Sequence, residues 1–103
     1  MTEIDDKFFN RADEHIRLSN EQLANGSKGE VSASMMYSVA RFNAWVSASG
    51  WTSGKEMEEA KEETLAYFVD EYKKKLEANL EDYIKNFDHY MKKNNSQDSS
   101  TNA

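Results

Sequence analysis

The sequence predicts an all-α protein, a helical hairpin packed on a long third helix, with a fourth element if the last helix breaks near residues 73–79. Three observations carry this reading. The 103 residues include four glycines and no proline, so few positions can interrupt a helix. Apolar side chains between the glycines recur at three- and four-residue spacing, which lines them along one face of a helix. A content of 38% hydrophobic and 31% charged residues fits one small domain, placed at residues 1–93, with 94–103 as a tail.

The first helix is expected from about Asp5 to Asn25. Phe8, Ala12, His15 or Ile16, Ser19 and Leu23 form a thin stripe, and Gly26 is the stop. The second is expected from about Val31 to Ser49, where Arg41 is the only charged side chain. A helix with almost no charged face is normally covered on most sides, so this segment is expected to be the central, most buried element. Met36, Val39, Ala40, Phe42, Asn43 and Val46 are its expected interior residues. Trp51, directly after Gly50, occupies the place where a Schellman cap folds an apolar side chain back on the last turn.

The third helix is expected from Lys55 to Lys93, a stretch without glycine. Ser53 and Glu56 have capping-box spacing, and the glutamates at 56, 58, 59, 62 and 63 lie at the positive end of the helix dipole. Its apolar residues fall at Leu65, Phe68 or Val69, Tyr72, Leu76, Leu80, Tyr83, Phe87 and Tyr90 or Met91. The eleven-residue echo Leu65, Leu76, Phe87 keeps the stripe straight along the axis and disfavours a long ordinary coiled coil. From Asn94 onward no apolar side chain exceeds alanine, so the tail is expected to be disordered.

Composition removes several classes of function. Without cysteine there is no disulfide, thiol nucleophile or cysteine-held metal, and nothing calls for an oxidising compartment. The amino end, Met1 to Asp6, is acidic where a secretion signal is basic, and no run approaches a membrane span, so a cytoplasmic setting is expected. A formal charge of -6 argues against a general nucleic-acid binder. Gly26 to Gly29 is too short for a phosphate loop, and neither His15 nor His89 follows a glutamate at di-iron spacing. No enzyme activity, cofactor or metal is therefore expected.

Single residues add two candidate sites. Arg41, a permanent cation in an uncharged helix, is expected to pair internally with Asp13, Glu14, Asp70 or Glu71. Its alternative is a polar pocket with Asn43 and His15 for a small anion or a carboxylate. Lys73, Lys74 and Lys75 read as a solvated face, and Asn79 and Asn86 as register-fixing or edge residues of the long stripe.

Several runs carry a resemblance. Ala12 to Ile16 leading to Ser19 to Gln22, then VSASMMYSVARFNAW, then FVDEYKKKLEANLEDYIKNF, resemble a family of short bacterial proteins known as a domain of unknown function. The likeness covers roughly residues 8 to 93, with VSAS and Arg41 to Ala44 the most distinctive parts. It implies a bacterial, all-helical domain and carries over no site residue.

Helix lengths point to assembly. The first two helices, roughly 30 Å each, reach only half the length of an unbroken third and are expected to cover it from about Met57 to Leu76. Leu80, Tyr83, Ile84, Phe87, Tyr90 and Met91 are then an apolar stripe needing a cover. A homodimer is favoured over a different partner or a fold-back at residues 73–79, because no glycine or proline marks a break. The expected function is a small cytoplasmic interaction or regulatory protein.

Overall fold

Two serines open helices in this chain. Ser27 Oγ accepts the Glu30 N–H at 3.1 Å while the Glu30 carboxylate accepts the Ser27 N–H at 2.9 Å, a reciprocal capping box. Ser53 Oγ likewise accepts the Glu56 N–H at 3.1 Å. Here the Glu56 carboxylate instead takes the N–H and hydroxyl of Thr52, both at 2.9 Å. The computed structural model describes residues 5–92; Met1 to Ile4, Lys93 and the expected tail lie outside them. Helix α1 spans Phe8–Gln22, α2 Lys28–Ala48, α3 Gly54–Glu59 and α4 Lys61–Lys85, and a π turn follows at Asp88–Lys92. The described residues contain no strand, so the all-α class holds. None of their helices is long and apolar enough to cross a membrane.

Backbone proximity groups the described residues into two units, 5–43 and 44–92, with the boundary inside α2. In the first unit the α1 stripe is where spacing places it: Phe8, Ala12, Ile16, Ser19 and Leu23 are half-buried, and His15 is exposed. Ser19 Oγ lies 3.3 Å from Met35 Sδ of α2. Asp5 caps the entry by accepting the Lys7 N–H at 2.9 Å and pairing with Arg11 at 3.1 Å. The Arg11 hydrogen bond, with that of the Lys7 backbone, holds the Asp5 carboxyl below its ordinary range.

Burial departs from expectation. Val31, at 8% exposure, is the buried hydrophobic residue of the described chain, and α2 is not a buried centre. Met36, Val39, Ala40, Phe42 and Val46 are exposed, and Asn43 is half-buried. The α1 stripe is narrower than the apolar surface that α2 presents, so scarcity of charge on α2 does not mean burial.

The single long third helix is also corrected. At Ala60 the N–H is shared between the carbonyls of Glu56 and Met57, each at 3.2 Å, and α3 gives way to α4. Glu58 and Glu62, and Glu59 and Glu63, are like charges four residues apart across this point, an arrangement that weakens a helical turn. No break falls at residues 73–79, which lie inside α4. The Schellman cap is not formed either: Gly50 and Trp51 donate to Ser47 and Ala48 at 3.1 Å, a run of tight three-residue turns, and Trp51 stays exposed.

Candidate functional site

The second unit carries an uncovered apolar seam on one helix. Leu65, Val69, Tyr72, Leu76, Leu80, Tyr83 and Phe87 fall on one line of α4 and its continuation, and all seven are 36–63% exposed. Partly covered residues, Met57, Ala60, Thr64, Phe68 and Glu71, run beside it at the same helical spacing. Of the stripe expected beyond Leu76, Leu80, Tyr83, Ile84, Phe87 and Tyr90 are exposed and Met91 is half-buried. Ile84, at 73%, is the most exposed of them and flanks the seam.

Two lysines of α4 pair with carboxylates one turn earlier on the same helix. Lys74 pairs with Asp70 at 3.1 Å and Lys75 with Glu71 at 2.9 Å. The Asp70 hydrogen bond is the main reason Lys74 holds its proton above the usual lysine range. Asp70 and Glu71, two of the four carboxylates proposed from sequence for Arg41, thus each pair with a lysine of their own helix. The lysine run is the solvated face expected of it. Asn79 and Asn86 donate to the backbone carbonyls of Lys75, at 2.8 Å, and Asp82, at 3.1 Å, so they bond within α4.

A polar clasp closes the end of the seam. Tyr90 Oη donates to Asp82 Oδ2 at 2.8 Å across two helical turns, and Asn86 Nδ2 donates to Asp82 Oδ1 at 2.9 Å. The bond to Asp82 raises the Tyr90 phenol above its ordinary range, because ionisation would place two anions side by side. The Tyr83 and Tyr90 rings lie 4.6 Å apart. The clasp and the π turn, neither foreseen from sequence, thus fix the aromatic end of the seam. An i,i+8 bond needs the helix to widen by a fraction of a turn, and periodicity alone carries no signal for that.

The alternative site does not assemble. Arg41 is exposed, and within its own unit no ion pair joins it to Asp13 or Glu14, so those two of its expected partners are corrected. His15 is exposed too, and Asn43 is half-buried, so the three do not form a sequestered polar pocket. The described residues hold no group of three potential metal ligands. The depression at Ala78, Glu81, Asp82, Ile84 and Lys85 is an open groove whose walls all come from α4.

With the geometry in view, comparison with known proteins adds the following. A family model described as "Protein of unknown function (DUF3144)" matches residues 8–84, across both units. No curated protein matches. Among solved structures, the chain is similar to the NMR structure of the protein NB7890A from Shewanella sp., at 44% identity and a TM-score of 0.72. That match covers 86% of this chain and 95% of the other. The resemblance read from VSAS, the Arg41 to Ala44 run and the third-helix pattern is upheld: this chain belongs to the DUF3144 family of proteins of unknown function.

Proposed function

We propose that this is a non-enzymatic cytoplasmic protein that works by helix-mediated association, with a second copy of itself as its partner. The observation that carries the reading is the α4 seam, seven large apolar side chains in one line and all exposed. Monomeric surfaces rarely keep contiguous apolar patches beyond a few hundred Å². The exposed Met36, Tyr37, Val39, Phe42, Trp45 and Val46 of α2 add further apolar surface. The polar residues support a structural rather than a chemical role: Glu30, Glu56 and Asp5 serve helix entries, Asp82 the clasp, and Asp70 and Glu71 their neighbouring lysines. The anion pocket around Arg41 is not carried forward, since Arg41 and His15 both face solvent.

Sedimentation equilibrium at micromolar concentration tests the reading. The expected mass is twice the 11.9 kDa of the chain, reverting to the single mass in Phe87→Asp. A single mass for the unaltered protein at all concentrations would overturn it.

A further inference from the structure

Helix α1 has little of its own to hold it. Apart from the Asp5 contacts at its entry, its 15 residues have no side-chain bond from Lys7 at the N-cap, no acidic residue in the first turn and no basic one in the last. A helix of that length is marginal in water by itself. Helix α2, with 21 residues and the reciprocal Ser27 and Glu30 box, has the support that α1 lacks. Among the described residues the surface the two share is narrow. Buried Val31 and half-buried Met35, one turn apart, lie on one face of α2, and Met35 Sδ accepts the Ser19 hydroxyl of α1 at 3.3 Å.

Sulfur makes that contact chemically distinct. The chain has no cysteine, so its five methionines hold all of its sulfur. A thioether is apolar and polarisable, whereas its sulfoxide is polar and disrupts packed contacts. We propose that Met35 is an oxidation-sensitive latch between α1 and α2: a hydroperoxide converts its thioether to the sulfoxide, and α1 is released. A sulfur lone pair takes the hydroxyl oxygen of the peroxide, so that the S–O bond forms as the O–O bond breaks. The sulfur loses two electrons, and the peroxide, which keeps the proton, is reduced to water or an alcohol. The new oxygen has to find room where the Ser19 hydroxyl already lies at 3.3 Å, and it sets a strong dipole one turn from Val31.

The next residue supplies the contrast. Met36 is 54% exposed, so its sulfoxide projects into solvent and leaves the contact between α1 and α2 intact. One methionine thus takes up oxygen without consequence, and its neighbour does so at the cost of the hairpin. A methionine sulfoxide reductase, drawing two electrons from a dithiol, returns the thioether and resets the latch. The latch lies within residues 5–43 and does not depend on the self-association reading.

The test treats the full chain with hydrogen peroxide, maps oxygen uptake by peptide mass and follows amide hydrogen exchange across α1. Met36 is expected to oxidise first, with α1 exchange unchanged. As Met35 follows, α1 exchange is expected to quicken about tenfold or more, the mark of a local opening, and to slow again after reductase and dithiothreitol. Met35→Leu, close to volume-conserving, is expected to fold and to keep α1 protected under the same treatment. Unchanged α1 exchange in protein fully oxidised at Met35 would overturn the latch, and so would a Met35 that takes up no oxygen; neither result needs a variant. Equal quickening in oxidised Met35→Leu would overturn it as well, by assigning the effect to another methionine.

Discussion

Helices α2 and α4 are both long and both rich in exposed apolar side chains, yet they differ in what surrounds those side chains. On α4 seven exposed apolar residues keep to one line, with Ile84 beside it and Tyr67 away from it, and the remaining circumference carries ion pairs such as Lys74–Asp70 and Lys75–Glu71. On α2 the exposed residues Met36, Tyr37, Val39, Phe42, Trp45 and Val46 are scattered around the helix. A narrow seam with charged shoulders can define one partner geometry, because a shift of register sets charges against apolar groups. Apolar residues scattered among serines, as on α2, define no single line and give less discrimination. Under the proposed self-association, the difference assigns specificity to α4 and additional apolar area to α2.

The sharpest way to break this comparison is to place a charge on each helix in turn. Leu76→Asp places a carboxylate at the middle of the seam and is expected to weaken the proposed self-association more than 100-fold, on the scale of a central hot-spot residue. Tyr37→Asp, at the most exposed large residue of α2, 68%, is expected to weaken it less than tenfold. Sedimentation series of the two variants settle the order, and the reverse order would move the specificity to α2.

Next in size are the helix entries, one in each unit. Ser53→Ala is expected to cost about 1 kcal/mol of unfolding free energy, the usual value for a lost side-chain cap. Ser27→Ala is expected to cost at least as much, because Ser27 and Glu30 cap reciprocally while Glu56 is engaged by Thr52. Urea denaturation of both variants measures the pair.

These two caps also show what the sequence makes legible. Ser53 and Glu56 announce a helix start by spacing alone, and the structure has it there. Ser27 and Glu30 have the same spacing, but the intervening Lys28 and Gly29 draw attention to a loop, and α2 starts three residues before the expected Val31. The α1 stripe was legible because local geometry determines it. Which residues the chain covers was not, since apolar periodicity marks a face that avoids water without saying which molecule supplies the cover. That is why α2 read as an interior. The clasp of Asp82, Asn86 and Tyr90 depends on a π turn, whose small helical displacement leaves no compositional trace.

Smaller still are pH effects, which sharpen the contrast between helix entry and helix end. Glu56 is held below its ordinary range by the Thr52 backbone N–H and then by the Thr52 hydroxyl. Its contribution is thus present above the ordinary carboxylate value and is lost as pH falls through the depressed one. Thr52→Val should raise the Glu56 value part of the way back, read by carboxyl NMR titration. Tyr90 has the opposite sign: its phenol is raised, so its contribution is complete below the ordinary phenol value and is lost as pH rises through the raised one. Asp82→Asn should lower the Tyr90 value in an ultraviolet titration.

The smallest expected effect belongs to the residue that looked most unusual in the sequence. Replacing one member of a buried ion pair costs several kcal/mol, typically ~3–5, because the other charge is stranded in a low-dielectric interior. Arg41 is exposed, so that cost does not arise. Arg41→Met exchanges one long, solvated stem for another and is expected to shift unfolding free energy by less than about 0.5 kcal/mol, the range of an exposed substitution. Urea denaturation at low protein concentration, where the single chain dominates, is the proper measurement. Repeating it at high concentration then asks about the assembled state. A loss that grows with protein concentration would show that Arg41 acquires its carboxylate from another copy, and α2 would join α4 as a determinant of specificity.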